Sequence, residues 1–524
     1  MSGIAAAFLL PWSSSHQTVY DRLQHMLPKL ALRGQAEVAV TAFTHNKGVR
    51  GGSVSQPSHE LSSIRKNRRD SEVSPHVAIG LISGRVCRQD RNDDHPNPKR
   101  AASSRQLTVS VDGALANGHE VRAELIAQGY TRVGRTDAEL LLKLIEKICE
   151  RDYWRQGLRV KYENVFREID ERIDGAISAL LLDPEGNLVA FRNRYGLRPL
   201  EFMQTDDGVL LFASENCAFA GLRGESGQIL PGYIKYVDGK RGHCLDHRVS
   251  VSQETAKLCV YETLYLGNPD TSIDGQTHRK TRYNIGFSLG DLIAQRICAE
   301  QGRDPIIVSS MPHTGGPYAD GLFSSLLARG VSVERREVIE TQLSERTLIG
   351  PTSERKHRIA RKYRLDSTDV GRRTILIADE ALIRGDTSRT ITNMLLAAGA
   401  KAVHWGIGSP PIVAPNYYGV DIEAIDELAF WQAWKRLPAQ QQKRSLLFKD
   451  IEPHVLQSVD RRIAAAISAA TVTYLPFSRL SSLLPRGSEG VDLSPFTFEM
   501  PTPAGQRRAN RDLHNLVSEY QSAA

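Results

Sequence analysis

Asp379 and Glu380 are adjacent carboxylates that close the apolar run Ile375-Leu-Ile-Ala, and Arg384-Gly385-Asp386-Thr387-Ser388 follows shortly after. An apolar, partly β-branched run of this length predicts a buried strand. Beyond the small polar stretch, Ile391, Met394, Leu395 and Ala398 recur at helical spacing, and Gly399 supplies a stop. The expected order is strand, acidic pair, loop, then a helix from Arg389. That order suits a phosphate. Backbone N–H groups entering a helix favour an anion. Paired carboxylates can hold ribose hydroxyls, or a Mg²⁺ ion that carries a pyrophosphate.

A second chemistry is possible at the other end. Ser2 follows the initiator Met, and its small side chain favours removal of that Met. The result is a serine hydroxyl beside its own free α-amine, a pairing in which the amine can act as base for the nucleophile.

The elements around these residues fall into two kinds. Ile4-Ala-Ala-Ala-Phe-Leu-Leu, Leu107-Thr-Val-Ser-Val111, Gly175–Leu182 and Leu188–Phe191 read as strands; Asp112-Gly113 ends one, and Asp183-Pro-Glu-Gly186 turns between two. Thr136-Asp137-Ala138-Glu139 opens a helix over Leu140–Cys149 with an acidic first turn. Short strands at close spacing predict a β-rich first domain with packed helices. The second half alternates strand and helix, starting with Pro305–Ser310. Residues 51–76 and 86–106 are polar and rich in Arg, Ser, Asn and Pro, and read as loops or insertions.

With 524 residues, the chain has room for two or three domains. A balance of 67 basic to 60 acidic residues is mild over this length. It suits a polyanionic small substrate and gives no reason to expect nucleic acid. No apolar run is long enough for a membrane span, so no membrane partner is expected. The six cysteines are scattered without a Cys-x-x-Cys pair, which fits reduced thiols in the cytoplasm.

Ser2-Gly-Ile, Leu32-Arg-Gly-Gln35, Thr136-Asp-Ala-Glu139, Arg192 to Leu200 and Ala213-Ser-Glu215 together resemble the glutaminase domain of the amidophosphoribosyltransferase family. The stretch from Ile375 to Thr387 resembles the phosphoribosyl pyrophosphate (PRPP) motif of type I phosphoribosyltransferases. Tyr265–Gly275, Met311-Pro-His-Thr-Gly315, Arg346-Thr-Leu-Ile349, Ala398–Val403, Ser409–Ile412 and Tyr418–Asp421 continue the likeness. It runs from residue 2 to about 480, with insertions near 50–106.

The resemblance implies an α/β architecture: an N-terminal αββα sandwich of the N-terminal-nucleophile glutamine amidotransferase type 2, then a type I phosphoribosyltransferase α/β domain. The corresponding boundaries are 2–255 for the first and 256–450 for the second, with a C-terminal helical segment at 451–484 and a flexible tail at 485–524. It also implies a homo-oligomer, with PRPP and an amine donor as partners. Asp379 and Glu380 would hold ribose hydroxyls and Mg²⁺. Thr314 would help with Mg²⁺ and pyrophosphate. Ala381, Leu382, Ile383, Arg384, Gly385, Asp386 and Thr387 would wrap the 5′-phosphate, and Arg346 would lie on a closing loop. Some members carry a [4Fe–4S] cluster. Cys259 lies near one ligand position, but Asn416 fills another and no Cys follows Cys298, so no cluster is expected.

Several positions depart from the family pattern. Glu380 and His313 stand where Asp is usual, and Asp386 where Thr is usual. Ser2 takes the place of the nucleophilic Cys. The oxyanion segment His-Asn-Gly-Asn-Leu becomes Val111-Asp112-Gly113-Ala114-Leu115, which keeps Gly113 but neither Asn. The Arg that grips the glutamine carboxylate is missing from Gly80-Leu-Ile-Ser-Gly84, with Arg85 the nearest substitute. Asp137 is retained for the substrate α-amine. The leading expectation is an enzyme that transfers an amine, glutamine-derived or free ammonia, to C1 of PRPP, with its glutaminase impaired. The alternatives are a catalytically silent PRPP- or nucleotide-binding paralogue that regulates a partner, and an amidohydrolase that uses Ser2.

Overall fold

The computed structural model describes residues 2–34, 37–44, 48–54, 75–83, 99–100, 107–130, 133–134, 136–251, 256–297, 304–341, 362–366, 370–420, 422, 424–445, 451 and 453–523. They form two compact units.

The first unit comprises Met1–Leu258 with Tyr417–Val420 and Pro501–Gly505. Alternation along its strands creates two apolar faces per sheet. In the strand Ser2–Leu9, Ile4, Ala6 and Phe8 face inward onto Leu180, Leu182, Leu188 and Ala190 of the opposing sheet. Ala5 and Ala7 face outward and are covered by Val19, Leu23 and Met26 of the helix Val19–Met26. On the far side, Val109, Val111, Ile177 and Ala179 pack against Leu141 and Ile145 of Asp137–Asp152 and Val165 and Ile169 of Tyr162–Arg172. The layers are therefore helix, sheet, sheet, helix. The seven-stranded sheet places Ser2–Leu9 between 209–213 and 77–83. In the six-stranded sheet, Thr108–Leu115 pairs antiparallel with Gly175–Leu182. The expected stop at Asp112-Gly113 is not a stop: the ladder continues, with Asp112 opposite Ser178 and Gly113 opposite Ile177.

The second unit comprises Cys259–Asn416, Asp421–Met500 and Gln506–Ala524. Its main sheet has five strands, in the spatial order 333–335, 306–310, 374–379, 402–407, 471–474, and every neighbouring pair is parallel. Numbered along the chain this is 2-1-3-4-5, a doubly wound order that reverses between 306–310 and 374–379. Ligands of such sheets bind beyond the C-terminal strand ends at that reversal. Ile375, Leu376 and Ile377 are fully buried, which accounts for the continuous apolar run.

Two expectations about the C-terminal region need correction. The helical segment at 451–484 also contains the strand Thr471–Tyr474, which completes the parallel sheet at one edge. The stretch expected as a tail, 485–524, is structured over its described residues, 485–523: Val491–Asp492 is a strand, and Pro503–Ala523 is a helix. Its Pro, Gly and Arg content suggested a tail, but Leu493, Phe496, Phe498, Met500, Ala509 and Leu516 are buried, and their burial offsets the cost of ordering the chain.

Candidate active site

At the C-terminal edge of the sheet, the ends of the strands 306–310 and 402–407 are both tied to the end of 374–379. Met311 N–H donates to Ala378 O at 3.0 Å, and Gly408 N–H donates to Asp379 O at 2.9 Å. The turn after 306–310 carries Thr314, whose hydroxyl donates to Glu380 Oε2 at 2.6 Å. Both residues are buried. His313, beside them, is exposed and takes a left-handed backbone with φ of 79°. A non-glycine residue there stores about 1–3 kcal/mol of strain, which is typical of functional turns.

Glu380 N–H donates to Asp379 Oδ1 at 3.1 Å. Burial, and then the neighbouring Glu380 carboxylate, push the Asp379 carboxyl well above the usual carboxylate range. Two crowded carboxylates of this kind gain from a cation or from hydroxyl donors. Hard oxygen ligands of this number also fit Mg²⁺, which takes one or two protein carboxylates and completes its shell with phosphate and water.

The loop after Glu380 turns at Gly385, whose φ is 85°. A Cβ there would lie 3.1 Å from Ile467 Cγ2. The helix then begins at Asp386 and runs to Ala397, three residues earlier than the apolar spacing suggested. Asp386 therefore occupies the first helical turn instead of a loop. Gly385 has no side chain, and no side-chain cap hydrogen bond is made at this helix start, a helix end of the kind that favours an anion. Arg384 Nε pairs with Glu427 Oε2 at 2.6 Å, and Ala429 N–H donates to Ile383 O at 2.8 Å, which pins the loop from outside. Asp379, Glu380, Thr314 and the stretch 381–387 are thus assembled at one end of the sheet. Arg346 and Arg85 lie outside the described residues.

In the first unit, Ser2 is buried at the start of its central strand. Ser2 N–H donates to Asp112 Oδ1 at 3.4 Å. Asp112 Oδ2 accepts from Arg33 Nη1 at 2.7 Å, and Arg33 Nε donates to Glu215 Oε1 at 2.5 Å. All three side chains are essentially inaccessible. Gly113 has φ of 115°, and a Cβ there would lie 1.7 Å from Ala176 O, so only glycine fits. Asp137 Oδ2 accepts from Leu115 N–H at 3.0 Å at the start of its helix. Arg33 and Glu215 belong to motifs that carried the resemblance, but their joint role with Asp112 was not anticipated.

A family profile described as a glutamine amidotransferase domain matches residues 86–221. The amidophosphoribosyltransferase of Methanocaldococcus jannaschii is 30% identical over 338 residues, 62% of this chain and 67% of that protein. The chain belongs to the amidophosphoribosyltransferase family. The Escherichia coli amidophosphoribosyltransferase is 26% identical over 434 residues, 79% of this chain and 80% of that protein. The glutamine PRPP amidotransferase from B. subtilis, solved with ADP and GMP, shares the fold: the TM-score is 0.71 at 23% identity, covering 96% of this chain and 98% of that one. Family membership agrees with the αββα sandwich and the type I phosphoribosyltransferase sheet described above. No helix among the described residues is long and apolar enough to cross a membrane.

Proposed function

We propose that this protein transfers an amine to C1 of PRPP and draws poorly, if at all, on glutamine for it. In the reaction the C1–O bond to pyrophosphate breaks, a C1–N bond forms, pyrophosphate leaves with the bonding pair, and the amine loses a proton. The observation that carries this reading is the Thr314–Glu380 contact at the sheet reversal, directly before the uncapped helix at Asp386. In this reading the N–H groups from Ala381 to Thr387 hold the 5′-phosphate, and Asp379 and Glu380 take the ribose hydroxyls. Thr314 fixes the direction of the Glu380 carboxylate. Mg²⁺, held by Asp379, Glu380 and Thr314, would neutralise the charge that builds on the leaving pyrophosphate.

The glutaminase reading rests on Asp112. With Met1 removed, the Ser2 amine would face the Asp112 carboxylate, which would hold the nitrogen that must serve as base for the nucleophile. A carboxylate held by Arg33 also donates no hydrogen bond to an oxyanion, and Ala114 has no side-chain donor. Loss of one such donor costs about 3–4 kcal/mol of transition-state stabilisation.

The test is pyrophosphate release from PRPP and Mg²⁺ with ammonia as donor. Release would support the proposal; no release with any amine would overturn it. A second reading is a catalytically silent PRPP- or nucleotide-binding paralogue, in which Asp386 in the first helical turn loosens the hold on the 5′-phosphate that turnover needs. That reading predicts saturable PRPP binding by calorimetry with no pyrophosphate release.

A further inference from the structure

A cavity of about 220 Å³ lies within the second unit, among the first turn of Asp386–Ala397, the helix Ala429–Trp434 and the end of Pro453–Ala466. Arg384, Arg389, Arg436 and Arg462 line it, against only two carboxylates, Asp386 and Glu427. The arginines come from three separate stretches of chain, so helix periodicity does not explain their convergence. Several are anchored at the wall. Arg384 Nε is paired with Glu427, Arg389 Nε donates to Ala466 O at 2.7 Å, and Arg462 Nε donates to Arg436 O at 3.1 Å. Guanidinium groups fixed around a small space repel one another, and an oxyanion relieves that repulsion while accepting charge-assisted hydrogen bonds. The volume is below the 300–1,000 Å³ or so typical of sites for drug-sized ligands. It suits a phosphate group or a small phosphate ester better than a whole nucleotide.

We propose that this cavity binds a small phosphate-bearing anion, and that its occupation weakens PRPP binding at the adjoining loop. The second part rests on the function proposed above. Arg384 and Asp386 line the cavity and also belong to the stretch assigned to the 5′-phosphate. Two phosphates that share one short loop repel each other and compete for the same positive field. By linkage, each ligand then weakens the other by the same factor.

The test uses calorimetry with inorganic phosphate as the first probe and glycerol phosphate as the second, so that free phosphate and an esterified phosphate are compared. The full chain is titrated as wild type and as R436Q/R462Q, with thermal unfolding as the check on folding. The expected result is saturable binding of one probe or both, weakened about tenfold or more in the variant. The apparent PRPP dissociation constant should rise roughly 5- to 10-fold with added phosphate and then level off. Arg436 is exposed, so the single variant R436Q provides the same comparison if the double variant does not fold. Equal phosphate affinity in wild type and variant would overturn the site, because binding would then lie elsewhere. A rise in the PRPP constant without a plateau would overturn the coupling, since it would mean direct competition in one site. Phosphate binding that is lost in the variant, in a protein that never binds PRPP, would uphold the cavity while refuting the reading of the loop.

Discussion

The Thr314 hydroxyl and the Glu380 carboxylate meet at 2.6 Å across the C-terminal ends of two adjacent parallel strands. This contact orients a buried acid that burial alone would disfavour. Thr314→Val removes the donor and leaves Glu380 less well satisfied. The expected cost is about 1–3 kcal/mol in denaturant unfolding. The Mg²⁺ concentration needed for half-maximal pyrophosphate release should also rise. If both values stay unchanged, the contact has no part in the site.

Asp386 is the first residue of its helix, where a negative side chain stabilises the helix by about 0.3–1 kcal/mol. The same charge opposes a phosphate at the helix N-terminus. Asp386→Thr should therefore lower stability by a few tenths of a kcal/mol and tighten PRPP about tenfold, or by about 1.4 kcal/mol. A PRPP titration that is identical in both proteins would mean that this helix end holds no phosphate.

Restoring the thiol alone should not restore glutamine hydrolysis. In Ser2→Cys, Asp112 still faces the α-nitrogen and still pairs with Arg33. Ser2→Cys combined with Asp112→Asn returns a side-chain donor and removes the carboxylate. Glutamate formation from glutamine should rise by about 10² or more in the double variant over Ser2→Cys. Full activity in Ser2→Cys by itself would show that Asp112 is harmless.

Asp183 should give stability a distinctive pH dependence. Its carboxyl is pushed up to about 6 by burial, with Glu185 adding to the effect and hydrogen bonds from Asn187 and Tyr162 opposing it. In the unfolded chain the same group titrates near about 3.9. The folded state therefore holds the proton more tightly between those values, and stability falls as pH rises from about 4 to 6, by about 3 kcal/mol in all. Asp183→Asn should remove that slope. Parallel unfolding curves for both proteins across this range would contradict the assignment.

The local features of the second site were legible in the sequence because strand, acidic pair, glycine and helix follow one another without interruption. The helix start was misjudged because its first turn, Asp386-Thr387-Ser388, carries no large apolar residue, so the apolar spacing begins only later. The Arg33–Asp112–Glu215 network was not legible as a unit. Its members are 79 and 103 residues apart in sequence, and the two antiparallel sheets bring them together. The C-terminal helix was missed because polar and small residues dominate it, and only scattered positions such as Ala509 and Leu516 are buried.

The proposed function pairs a working PRPP site in the second unit with an impaired glutaminase in the first. The most direct test measures pyrophosphate release at saturating PRPP and Mg²⁺, with ammonia and glutamine supplied in turn at equal concentration. Release is expected with ammonia, and little above background with glutamine. Release that is as fast with glutamine as with ammonia, or absent with both, would contradict the proposed function.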